Sequence, residues 1–190
     1  AIKLKAERLL QASAFFIQNN IEMRLFLAIL LTLTFAAQAQ EVKWISVEKA
    51  YELAKTDPKP ILIDVYTDWC GWCKRMDKDT YAKADIASFI NANFYPVKFD
   101  AEQKDSVHIM DHTFKFIAQG KRGYHELAAA LLNGKMSYPA TVFLTGKFEM
   151  ITVVPGYQAE KEFDVILNFI EGEHYTSTPF ENFSASYEKK

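Results

Sequence analysis

Cysteine is nearly missing from this chain: its 190 residues include two, Cys70 and Cys73. So sparse a set excludes the disulfide frameworks that staple small secreted domains. It also leaves too few thiolates for a four-cysteine zinc centre. Glycine and proline are scarce too, at seven and six, and no Gly/Ser-rich stretch marks a flexible linker between two bodies. Long apolar runs are lacking. Leu25–Ala36 is about 12 residues long, broken by Thr32 and Thr34, whereas a membrane helix needs roughly 20. Neither sign of charge prevails: 22 basic against 24 acidic side chains leave a net −2. No basic excess points to nucleic acid, and no acidic tract suggests a disordered tail.

What is abundant is apolar material. At 49% hydrophobic and 14% aromatic residues, the chain can build one well-packed core. Met23-Arg24, the run Leu25–Ala36 and then Ala37-Gln38-Ala39 combine a positive start, a short apolar centre and small residues two apart. That pattern predicts a secretory signal peptide over residues 23–39, cut after Ala39. Residues 1–22 precede the methionine at which such a peptide opens and are expected to stem from a misassigned start. No cysteine follows the run to carry a lipid. The expected remainder is a domain over 40–175 and a polar, loosely lying tail over 176–190. Its place is periplasmic or otherwise extracytoplasmic, with no stable membrane insertion after cleavage.

Periodicity and caps divide the domain. Ile45–Lys55 has helical spacing, with Ser46 as N-cap. Ile61–Tyr66 is a continuous apolar and β-branched run, the mark of a strand buried on both faces. A helix is predicted to begin near Cys70, and another after Asp85 as its cap, with Ile86, Phe89 and Ile90 inward. Phe94–Asp100 reads as a strand. Val107–Phe116 is expected to form a hairpin around Asp111-His112, and Tyr124–Leu132 a helix closed by Asn133-Gly134. Strands at Ala140–Leu144 and Met150–Val154 and an amphipathic helix at Glu160–Ile170 complete the order. Alternation of this kind favours a three-layer α/β sheet with a hairpin edge.

The chemistry is concentrated at the cysteines. A thiol is a nucleophile only as thiolate, and a helix N-terminus lowers its pKa through unpaired N–H groups and the dipole. With Cys70 opening a helix and Cys73 a turn in, Cys70 becomes the exposed attacker. Cys73 then resolves the mixed disulfide. A purely structural bridge between residues three apart would remove little chain entropy. A metal site using His108 and His112 as well would need a far shorter gap than the one from Cys73 to His108. No metal is expected.

Ile61–Lys74, ILIDVYTDWCGWCK, with Tyr138-Pro139-Ala140-Thr141 and Gly156, resembles the thioredoxin-like superfamily. The extracytoplasmic branch that includes the C-terminal domain of the DsbD-type reductase is the most similar. This resemblance spans about Val42–Glu171. It implies a thioredoxin-like three-layer fold, a central mixed sheet flanked by helices, with an insertion over 101–138 before a cis-Pro139. It also implies roles: Cys70 attacks, Cys73 resolves, and Asp64 is a buried acid handling the Cys73 proton. Pro139 lies beside the disulfide, and the Tyr138 backbone pairs with substrate. Trp69 and Trp72 flank the sulfurs and with Tyr138 and Pro139 are expected to bind substrate, Trp72 as an exposed lip and Trp69 with simple packing as its alternative role. Lys74 and Arg75 lie on a solvated helix face, and His125 is a surface or capping residue. Trp72 stands where cytosolic thioredoxins commonly have proline.

The function so implied is thiol–disulfide exchange with protein substrates, more of the reductase or isomerase type than a primary oxidase. It requires no cofactor and takes a membrane-bound electron donor as partner. A non-catalytic binding module on the same fold, a chaperone or a copper-delivery protein, is the alternative. The insertion is expected to extend the core.

Overall fold

In this computed structural model, residues 40–120 and 122–187 are described. The segment 23–39, expected to be a signal peptide, and residues 1–22, expected to stem from a misassigned start, lie outside the described residues. Ser46 caps the first helix, α1 (Val47–Ala54), its side chain accepting the Lys49 N–H at 3.2 Å. After Pro58 and Pro60 the chain enters β1 (Ile61–Tyr66), five of whose six residues are buried. The helix α2 (Gly71–Met76) runs into a π-helical turn at Asp77–Tyr81 and is followed by α3 (Ala84–Asn93). Strand β2 (Tyr95–Asp100) pairs parallel with β1. Later come β7 (Ala140–Leu144), antiparallel to β1, and β8 (Met150–Pro155), antiparallel to β7. The sheet order is β2-β1-β7-β8, a mixed sheet with helices on both faces.

The period of two along β1 sorts its side chains into two cores. Ile61, Ile63 and Val65 join Ala50, Val97 and Leu131 on one face. Leu62 joins Met76, Tyr81, Ile90, Phe143 and Phe163 on the other. Asp64 points the same way as Leu62, toward the layer that α2 supplies. The long helix α5 (Glu160–Glu171) closes that layer, burying Phe163, Ile166, Leu167 and Ile170. The sequence expectation of a mixed, helix-flanked sheet describes this architecture.

Local expectations fared unevenly between β2 and β7. A first hairpin, β3 (Val107–Ile109) and β4 (His112–Phe114), turns at Met110 and Asp111, both at positive φ, and not at Asp111-His112. A second, β5 (Phe116–Gln119) and β6 (Arg122–His125), was not anticipated. Tyr124 therefore pairs with Ile117 in a ladder instead of opening a helix. The helix α4 (Glu126–Leu131) starts two residues later, with His125 as N-cap. His125 is fully buried: Nδ1 accepts the Leu127 N–H at 3.2 Å, and Nε2 reaches the Asp105 carbonyl at 3.1 Å. It caps but is not on the surface, because its ring packs edge-on against Phe99 at 5.2 Å and its backbone N–H donates to the Ala101 carbonyl at 2.7 Å. Helix α3 has Lys83, not Asp85, at its N-cap. Asp85 sits in the first turn, where its charge favours the dipole without capping, and Phe89 is half-buried. The tail also departs from expectation. A 3-10 turn at His174–Thr176 leads to α6 (Phe180–Tyr187), whose Phe180 and Phe183 rings meet Phe169 at 5.2 and 5.3 Å. Its apolar residues lie four apart or less, spacing that a polar average conceals.

Candidate active site

The turn after β1 delivers Cys70 to the head of α2. Its backbone N–H donates to the Thr67 carbonyl at 3.1 Å. As N-cap it keeps extended geometry, φ −74° and ψ 104°, and its Sγ accepts the Cys73 N–H at 3.1 Å. An otherwise unpaired N–H aimed at sulfur, with the dipole behind it, favours negative charge on that atom. A disulfide joins Cys70 and Cys73. The expectation of an exposed Cys70 is corrected for the bridged state: it is 6% exposed and Cys73 3%, its sulfur bonded to Cys73 and receiving the Cys73 N–H. What is exposed is the pair of indoles, Trp69 at 58% and Trp72 at 55%. Of the two roles open to Trp69, packing away is excluded by its exposure, and its ring meets Tyr138 edge-on at 6.0 Å.

Asp64 lies in the middle of β1 opposite Lys98 of β2. It is 2% exposed. Its Oδ2 accepts from the Lys98 ammonium at 2.9 Å, and the same ammonium bridges to Asp77 on the π-helical turn. Three rings surround the cation, those of Trp44, Tyr66 and Tyr81, with centroids 5.1, 5.0 and 5.6 Å away. Among the described residues no partner meets Asp64 Oδ1 at hydrogen-bonding geometry, although the Tyr81 hydroxyl is close enough to favour the charged carboxylate. Burial pushes the Asp64 carboxyl up to about 6, against the charge and hydrogen bond of Lys98, which pull it down. For Lys98, burial lowers the pKa, but the two carboxylates outweigh it and the net direction is upward. The site therefore pairs a half-buried, permanently charged cation with a carboxyl able to gain or lose a proton near neutrality. Tyr81, whose hydroxyl is 3.2 Å from Thr141 Oγ1, is held protonated by burial.

The Tyr138–Pro139 peptide is cis. Pro139 is buried and Tyr138 half-buried. The Pro139 carbonyl accepts the Gly156 N–H at 2.8 Å, with Gly156 at φ +83°. Burial first, then Glu102 and Asp100, raise the Tyr138 hydroxyl to about 12, so it stays neutral. His108 and His112 sit on the first hairpin, where His108 Nδ1 contacts Thr113 Oγ1 at 2.9 Å.

Sequence reading missed Lys98, Asp77, Tyr157, Glu102 and Arg122. A lysine inside the apolar strand YPVKFD was a signal for the first. Asp77, four residues after Cys73 on the same helical face, was a signal for the second. Nothing local pointed to the other three, which meet the tryptophans beside the cysteines from distant parts of the chain. Glu102 accepts the Trp69 indole N–H at 3.1 Å, and Trp72 meets the Tyr157 ring at 5.6 Å.

A mixed sheet with helices on both faces, a Cys-x-x-Cys pair opening the helix after its central strand and a cis-proline heading the next antiparallel strand define the thioredoxin-like class. Residues 32–172 match Thioredox_DsbH, described as "Protein of unknown function, DUF255". The chain belongs to this family. It is 29% identical over 105 residues to the uncharacterized protein B0495.5 of Caenorhabditis elegans, covering 55% of this chain and 12% of that one. With the disulfide bond reductase DsbH of Chlamydia pneumoniae it shares 32% over 68 residues, 35% of this chain and 41% of the other. The chain thus spans well under half the length of these curated relatives. The solved structure "DsbH Oxidoreductase" superposes with a TM-score of 0.51 at 20% identity, covering 68% of this chain and 84% of that one; this likeness speaks for the fold.

Proposed function

We propose that the protein is an exported thiol–disulfide oxidoreductase acting on protein substrates through Cys70 and Cys73, as a reductase or isomerase more than a primary oxidase. The observation that carries this reading is Cys70 at the helix N-cap, its sulfur receiving the Cys73 N–H and bonded to the Cys73 sulfur. In the dithiol form the Cys70 thiolate attacks a substrate disulfide. A Cys70–substrate bond forms and one substrate thiolate leaves. Asp64 accepts the Cys73 proton; Cys73 attacks the Cys70 sulfur, and the second substrate thiolate departs. Two electrons pass to the substrate, and the protein closes to the bridged state described above. Trp69, Trp72, Tyr138 and Pro139 form the surface on which the substrate segment lies.

A reductant in an oxidising compartment must be recharged, which calls for a membrane-bound electron donor. The signal-like segment 23–39 supports export. Among the described residues no helix is long and apolar enough to cross a membrane. Insulin reduction with dithiothreitol tests the reading: the protein should accelerate precipitation of the insulin B chain, and Cys70→Ala should fall to the uncatalysed rate. Equal rates for the two would end the proposal.

A further inference from the structure

Two side-chain sets of the same composition flank the disulfide. On one side Trp72 meets Tyr157, and the Arg75 guanidinium lies over both rings, 5.2 and 5.4 Å from their centroids. On the other Trp69 meets Tyr138, and the Arg122 guanidinium lies 5.6 Å from the Trp69 centroid. Arg122 arrives on β6, from the insertion; Arg75 arrives on α2. A guanidinium resting on an indole face keeps its planar fork of donors in one orientation, at a lower entropic cost than a free side chain. Both arginines are exposed. Arg75 gives only its Nε to Asp79, at 3.2 Å, which leaves its terminal N–H groups available. Among the described residues Arg122 forms no ion pair. The nearby Glu102 is engaged by the Trp69 indole. The two oriented cations share the rim with carboxylates, Asp79 on the Nε of Arg75 and Glu102 and Asp100 on the Tyr138 side, so a partner carboxylate must bind through the guanidinium N–H groups these leave over.

We infer that the partner segment carries acidic side chains on both sides of its reactive cysteine, one carboxylate met by Arg75 and the other by Arg122. The inference rests on the exchange reaction proposed above and names its substrate class. Forked guanidinium–carboxylate pairing supplies the recognition, and the aromatic shelves set its spacing.

Three self-quenched peptide disulfides, alike except for Glu, Gln or Lys on either side of the cysteine, test it. The full-length reduced protein is the reductant, and each rate is divided by the rate with dithiothreitol to remove the peptides' own reactivity. The Glu peptide should react about tenfold faster than the Lys peptide, with Gln between, and the ratio should shrink in about 0.5 M salt. In Arg75→Gln/Arg122→Gln the ratio should fall to within about twofold. Equal rates for the Glu and Lys peptides, or a ratio that survives the double substitution, would overturn the inference while leaving the exchange reaction standing. A Gln peptide reduced no faster by the protein than by Cys70→Ala would remove both.

Discussion

Asp64 is a carboxyl buried in the middle of β1, and in the exchange reaction proposed above its ionisation would link chemistry to stability. Its pKa is about 6 in the folded chain against an ordinary 3.8. Between those values the folded state binds more protons than the unfolded one, so stability falls as pH rises through that window. The shift corresponds to about 3 kcal/mol at most once the carboxyl is ionised. Asp64→Asn removes that ionisation. Urea unfolding at pH 7.5 should find the variant more stable by about 1–3 kcal/mol, with the slope between pH 4 and 6 flattened, while turnover falls. Lys98 keeps Asp77 as its partner in the variant, so the half-buried cation is not left unpaired. A variant less stable than the parent at pH 7.5 would show that the Lys98 pairing outweighs burial.

At the scale of elements, the insertion is two hairpins and a short helix with separate tasks. Val107 and Ile109 of the first hairpin, and Leu127, Ala128 and Leu131 of α4, extend one face of the core. The second hairpin instead reaches Trp69 through Arg122. Its two strands touch so closely at Gly123 that a Cβ there would lie 2.2 Å from the Phe116 ring and 2.3 Å from the Ile117 carbonyl oxygen. Because one of those atoms is backbone, the ladder must open to admit a methyl group. Gly123→Ala should cost about 1–3 kcal/mol in chemical denaturation. Gly71→Ala, whose Cβ meets nothing within 4 Å, serves as the control and should stay within about 0.5 kcal/mol. Equal losses at both positions would mean that the close approach is not what requires glycine at position 123.

Over the whole molecule, the two cores flank a four-stranded sheet, and the disulfide bridges residues three apart at the rim. A ring so small restricts the unfolded chain little, by about 2 kcal/mol on the loop-entropy view. Reduction should therefore leave the far-ultraviolet circular dichroism unchanged and lower the melting temperature by less than about 8 °C. Loss of the helical signal on reduction would make the bridge structural and remove the ground for treating it as an exchanging pair.

The sequence alone determined what depends on neighbours along the chain. The buried strand Ile61–Tyr66, the helix start at Cys70, the Ser46 cap and the amphipathic α5 were legible because their signals, apolar period and capping chemistry, act within one or two turns. The same locality explains the failures. Tyr124 looks helical beside its alanines until Ile117 pairs with it, and α6 holds its place through contacts with Phe169 of another helix. Only the tertiary structure could bring Lys98 between Asp64 and Asp77, or set Arg122 over Trp69. Those meetings depend on strand register and on how hairpins and helices tens of residues away fold back, which no local pattern encodes.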